Sequence, residues 1–150
     1  MESTLRGIGV SPGIAIGPAV LFGNDRFEIP KYAVVDVDQE LDRFEQALEK
    51  TRDYLQVLHT RTTAKLGEGH ADIFKAHLLV LEDVTLLEEV KTRINVEGLN
   101  VEHILDEFSQ HYAKLLGAVD DSRFQARTAD LLDVMDRLQR NLLDAERTHL

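Results

Sequence analysis

From Asp36 to Leu142 the apolar residues of this chain recur at steps of three and four, and nothing after residue 35 reads as a strand. That period commits most of the sequence to amphipathic helices. Asp36, with Gln39 three residues on, makes a capped helix start, and Leu41, Phe44, Leu48, Leu55, Leu58 and Thr62 carry one helix to about Leu66. Thr51 is its polar interruption, and Gly67-Glu68-Gly69 ends it. Ile73, Phe74, His77, Leu78, Val80 and Leu81 give the next helix a broad apolar face, stopped by Glu82-Asp83. Asp83 can cap a shorter helical piece over 85–94, with Leu86, Leu87 and Val90 inward. Asn100 can cap a helix whose stripe is Val101, Ile104, Leu105, Phe108, Tyr112 and Leu115, closed by Gly117. Asp120-Asp121-Ser122 opens a last helix with Phe124, Leu131, Val134, Met135, Leu138 and Leu142 on one face. Short connections between such helices predict a mainly α, four-helix bundle-like domain of two helical hairpins.

The first 22 residues stand outside that scheme. Two extended runs, 5–10 and 14–22, flank the turn signal Ser11-Pro12-Gly13 and read as a β-hairpin. A two-stranded unit is marginal in water and needs a sheet or a helical surface to join. Residues 23–35 read as a linker, with a short extended run from Tyr32 to Val35. At 150 residues one domain is expected, able to bury about two thirds of its unfolded surface. With 27 acidic against 17 basic residues the net charge is −10, which argues against nucleic acid and anionic membranes and favours a basic partner. There is no cysteine, so neither disulfides nor thiolate chemistry is available. The start has no signal-peptide pattern and no apolar run reaches spanning length, so a soluble, cytoplasmic protein is expected.

Chemistry-bearing motifs are sparse. Gly7-Ile8-Gly9 and Gly13 fit neither dinucleotide-binding nor Walker spacing, and no helix follows them. His103, Glu107 and His111 share one helical face at steps of four and are the best metal-ligand spacing in the chain, although the pattern is weak and a solvated face is the favoured explanation. His70 falls at a helix start, where a cationic form opposes the dipole. His77, on an apolar face, is either a packed histidine or part of a surface offered to a partner.

Three blocks, taken in order, carry a resemblance. They are Ile8-Gly9-Val10-Ser11-Pro12-Gly13-Ile14-Ala15-Ile16-Gly17-Pro18-Ala19, then Ile73-Phe74-x-Ala76-His77-Leu78-x-x-Leu81-Glu82-Asp83-x-x-Leu86, then Arg127-x-Ala129-Asp130-x-x-Asp133 with Arg140-Asn141. Together they resemble the N-terminal, HPr-binding region of enzyme I of the bacterial phosphotransferase system, the phosphoenolpyruvate-protein phosphotransferases. Val84 departs from the pattern, since members often have proline after the Glu-Asp pair.

The resemblance implies an enzyme that takes a phosphoryl group from phosphoenolpyruvate onto a histidine and passes it to the small carrier HPr. Histidine suits that relay because its nitrogen is nucleophilic near neutral pH. The family's active histidine lies in a Gly-Gly-x-Thr-Ser-His stretch, which none of the six histidines here matches. The chain alone is therefore expected to be inactive, with no catalytic residue, metal or cofactor of its own. Magnesium, the phosphoenolpyruvate site and homodimer contacts are implied for the C-terminal part of the full-length enzyme. Residues 1–22 become strands of a truncated α/β phosphohistidine domain, 23–35 a linker, and 36–147 the helical HPr-binding domain. By the same resemblance Glu68, His70, Ile73, His77, Leu79, Glu82, Asp83 and Leu86 fall on the docking surface, with Arg127 beside them, while Ile73 and Leu79 fit a core equally well. The alternatives are a metal-binding bundle using His103, Glu107 and His111, or a helical adaptor with another partner.

Overall fold

A computed structural model describes residues 4–9, 11–18 and 28–148. Among them five helices follow in order: α1 Val37–Leu66, α2 Glu68–Leu81, α3 Val84–Glu97, α4 Val101–Ala118 and α5 Ser122–Thr148. The mainly helical, hairpin-built architecture agrees with the sequence expectation. The fifth helix arises because the second leg of the bundle is broken in two. Helix α2 turns back on α1 through the single residue Gly67, and α3 continues that return, its Lys91 ammonium paired with Glu45 near the start of α1. The break lies at Glu82-Asp83. Asp83 is extended, and its Oδ1 accepts the Leu86 amide at 3.2 Å, so a capping aspartate restarts the helix without the proline common in the resembling family. Helices α4 and α5 form the second hairpin, and Gln139 Nε2 of α5 donates to the Glu102 carbonyl at the start of α4 at 2.7 Å.

Local sequence explains most boundaries. Asp36 Oδ1 accepts the amides of Asp38 and Gln39 at 3.0 and 3.2 Å, as an N-cap does. Gly67 stops α1 at φ 89° and ψ 170°, a region open in practice only to glycine. Thr51 is no flaw in the apolar stripe. It is fully buried, donates to the Ala47 carbonyl at 2.7 Å and accepts from Asn141 Nδ2 of α5 at 2.7 Å. The expected stripes of all helices meet in one core, which includes Phe44, Leu55, Leu81, Val90, Ile104, Met135 and Leu138.

Two expected caps are corrected. Asn100 precedes α4 but makes no side-chain cap bond; its amide is spent on Pro30, Tyr32 and Glu102 instead. The first α4 amide, that of Val101, is satisfied by Glu40 Oε1 of α1 at 2.8 Å, a tertiary cap no local pattern reveals. Gly117 does not close α4, which runs on to Ala118, where the Val119 amide bonds back to Leu115.

Among the described residues of 1–22 no hairpin pairing is seen. No strand is assigned to the described residues of 1–22, and Leu5, Ile8, Ile14 and Ile16 are all more than nine-tenths exposed. Val10 and residues 19–22 of the expected strands lie outside the described residues, as do 23–27 of the expected linker. Two short apolar runs gain little burial from each other alone. The end of the linker, by contrast, is fastened. Ala33 bridges Leu99 in antiparallel fashion, Val34 N donates to the Gly98 carbonyl at 2.8 Å, and Asn100 N donates to the Tyr32 carbonyl at 3.1 Å. Asn100 completes the clasp by accepting from Tyr32 N at 3.0 Å and donating to the Pro30 carbonyl at 2.9 Å.

Candidate functional site

The break between α2 and α3 opens a groove. A cavity of about 590 Å³ lies between the end of α2, the start of α3, Tyr112 of α4 and the first turns of α5. Its apolar surface comes from Leu79, Val80, Leu86, Tyr112, Phe124 and Leu131, and its charged rim from Asp83, Glu89, Asp130 and Arg127. The rim is mainly acidic. Burial, then the negative charges of Glu89 and Asp83, push the Tyr112 phenol above its ordinary value. An apolar centre with carboxylates around it suits a protein partner that offers an apolar side chain between basic groups.

Four of the nine candidate residues meet here. Leu79, Asp83, Leu86 and Arg127 line the cavity, although their exposures differ widely. Leu79 is 64% exposed, which places it on the surface and not in the core. Leu86 is only 7% exposed and forms floor rather than rim. Asp83 serves two purposes, since the carboxylate at the rim also caps α3. Glu82 is exposed beside it and outside the lining.

The other candidates lie elsewhere on α2. Glu68 and His70 are exposed at its first turn, and the 14-residue helix is about 21 Å long. They can reach the same partner only if it spans the whole helix. Ile73, 51% exposed, and His77 line a second groove between α1, α2 and α5. His77 is the clearest departure from the surface assignment. At 3% exposure it cannot touch a partner directly, and its Nε2 instead faces Asp130 Oδ1 at 3.4 Å and Asp133 Oδ2 at 3.8 Å.

Tyr112, Phe124, Glu89 and Asp130 complete the groove without any motif in the sequence that points to it. Tyr112 and Phe124 were read as ordinary stripe residues, yet both are half-buried and end at the cavity. The available signal was an aromatic at the edge of each stripe, beside the predicted break.

The metal alternative finds no support in the geometry. Glu107 is engaged by the Arg93 guanidinium, which also bonds Glu97, and that hydrogen bond with the nearby His103 holds its carboxyl below the usual range. His103 Nε2 lies 3.1 Å from Glu107 Oε1, while His111 packs edge-on against the Tyr112 ring. Among the described residues no three His, Cys, Asp or Glu side chains are arranged to hold a metal ion, and no helix is long and apolar enough to cross a membrane.

Comparison with known proteins agrees with this architecture. A relative from Priestia megaterium, "Phosphoenolpyruvate-protein phosphotransferase", is 36% identical over 95% of this chain and 25% of its own length. Proteins of the same name from Bacillus sp. (strain S) and Bacillus subtilis (strain 168) are 39% and 35% identical, again over 95% of this chain and 25% of theirs. The chain thus spans about a quarter of the length of these relatives. Among solved structures, an NMR solution structure of Enzyme I (nEIt) matches 79% of this chain and 49% of that one, with a TM-score of 0.69 and 25% identity. Residues 6–127 match the family described as PEP-utilising enzyme, N-terminal, and to that family the chain belongs.

Proposed function

We propose that this chain docks the phosphocarrier HPr for a phosphoenolpyruvate-protein phosphotransferase of the sugar phosphotransferase system, with the α2–α3 groove as the seat. The observation that carries the reading is the groove itself, an apolar hollow with an acidic rim on a molecule of net charge −10. Such a surface attracts a locally basic carrier and orients it before contact. On this reading the chain positions a carrier and carries out no transfer alone. Phosphoenolpyruvate, magnesium and dimer contacts are assigned to parts of the relatives that this chain does not cover. The described residues offer no metal-ligand set. The compartment proposed is the cytoplasm, where carrier and phosphoenolpyruvate meet.

The test is an NMR titration of the labelled chain with unphosphorylated HPr at low and moderate salt. Amide shifts clustered over residues 79–89 and 124–131, reduced by salt, are expected. Leu79→Asp and Glu82→Lys are the informative variants, because both side chains are exposed and Glu82 closes α2 through its backbone amide, which the substitution keeps. Each should weaken docking by at least about tenfold, ~1.4 kcal/mol, with the fold intact. Unchanged affinity in both would remove the groove from the interface, and a folded chain that ignores HPr would point to an adaptor for another partner.

A further inference from the structure

Arg127 is a cation placed among carboxylates that does not pair with them. It lines the groove at the α2–α3 break together with Asp83, Glu89 and Asp130, yet among the described residues its guanidinium has no hydrogen-bond or ion-pair partner. By contrast Arg43 bonds Glu40 at 2.9 Å, Arg93 bonds Glu97 at 2.7 Å and Arg140 bonds Asp136 at 2.9 Å. Two of the groove's carboxylates are turned to other groups. Asp130 Oδ1 lies 3.4 Å from His77 Nε2, and Asp83 Oδ1 accepts the Leu86 amide. A second donor lines the same groove. The Tyr112 ring is held against Phe108 at 4.7 Å and edge-on to His111 at 5.6 Å, while its hydroxyl has no hydrogen-bond partner among the described residues.

Arg127 is exposed, and in water it needs no protein partner. Under a docked carrier it does. Covering a guanidinium without an acceptor is costly, and a partner that met this groove with cations alone would set like charges against Arg127. Resting on the docking reading, we propose that Arg127 and Tyr112 form a donor pair for backbone carbonyls at the C-terminal turn of a carrier helix, while Asp83, Glu89 and Asp130 receive the basic side chains of that turn. A carboxylate is the poorer acceptor here, because three carboxylates already stand around the site. The last turn of a helix supplies the required combination. Its final carbonyls have no partner within the helix, and basic side chains are favoured beside them. A helix N-terminus offers the reverse, unpaired amides with acidic side chains, and would meet Arg127 with donors. The groove therefore selects by more than net charge. Arg127 admits a basic surface only where that surface also exposes an acceptor.

Titrations of HPr into the native chain and two variants decide it, because a bystander cation and a donor predict opposite signs. Arg127→Met keeps the aliphatic stem of an exposed side chain and removes every donor. If Arg127 only repels a basic partner, the variant binds more tightly, most of all at low salt. If it donates, binding should weaken by about tenfold or more at low and moderate salt alike. Tyr112→Phe, which keeps the ring contacts and deletes only the hydroxyl, should weaken binding several-fold. With carbonyl-labelled HPr at saturation, signals from the last turn of a helix should shift on the native chain and stay in place on Arg127→Met. Unchanged or tighter binding in either variant, or carbonyl shifts that persist with Arg127→Met, would overturn the donor pair and leave the docking reading standing. HPr that ignores the native chain would sink both.

Discussion

Glu102 is fully buried and accepts from three directions. The Arg43 guanidinium and Asn100 Nδ2 bond its carboxylate, and Gln139 Nε2 bonds its backbone carbonyl. Arg43 also donates to Glu40 at 2.9 Å, and Glu40 is itself nearly buried while it caps α4. Burial opposes the charge on Arg43, but the hydrogen bond and attraction of Glu102, with that of Glu40, hold its pKa above the ordinary value. Removing one partner of a buried pair leaves the other uncompensated. Arg43→Ala strands a carboxylate with no exposure and should therefore destabilise the fold by about 3–5 kcal/mol, read by chemical denaturation, and Glu102→Ala somewhat less because the arginine it strands keeps 25% of its exposure and a bond to Glu40. Little of this network was legible in the sequence. Asn100 read as a helix cap because a cap needs only local spacing, whereas its actual partners lie about 70 residues away at Pro30 and Tyr32. Thr51 read as an interruption for the same reason, since Asn141 lies 90 residues on.

At the scale of elements the sequence was far more informative, because helical period and capping are local properties. Asp36 and Asp83 cap where expected, and the stripes of α1, α3, α4 and α5 all face the core. The misses have physical causes. Gly117 was read as a stop although a glycine ends a helix only when the chain leaves helical backbone there, and α4 continues. The described residues of the expected strands are unpaired, and alternation cannot show whether a sheet is at hand to receive them. Glycines next to α2 separate the two cases clearly. A Cβ at Gly67 or Gly69 would meet open space, so any effect of substitution is one of backbone alone. At Gly67, φ 89° disfavours any L side chain, and Gly67→Ala should cost about 1–3 kcal/mol. Gly69 lies within α2, and Gly69→Ala should stabilise by ~0.5–1 kcal/mol. Thermal unfolding followed by circular dichroism would show the opposite signs.

For the molecule as a whole, one apolar cluster joins residues from all five described helices. Helix α1 packs against each of the other four, so no hairpin has a core of its own. Unfolding should be a single transition. Leu55→Ala, at a fully buried site in the middle of α1, should cost about 2–5 kcal/mol and lower hydrogen-exchange protection in α4 and α5 as much as in α1. A loss confined to α1 and α2 would mean two separable hairpins. The groove at the α2–α3 break depends on the same unity, because its walls come from α2, α3, α4 and α5.

The Asn100 clasp has a mechanical consequence. Four hydrogen bonds tie the backbone between Pro30 and Val34 to the α3–α4 junction. A tug on the chain ahead of Pro30 is therefore not delivered to the first turn of α1, where a helix peels one bond at a time. It is shared by four bonds and passed, through Asn100 and Glu102, into the middle of the structure. A pull on the chain ahead of Pro30 therefore enters the helical body at the foot of α4.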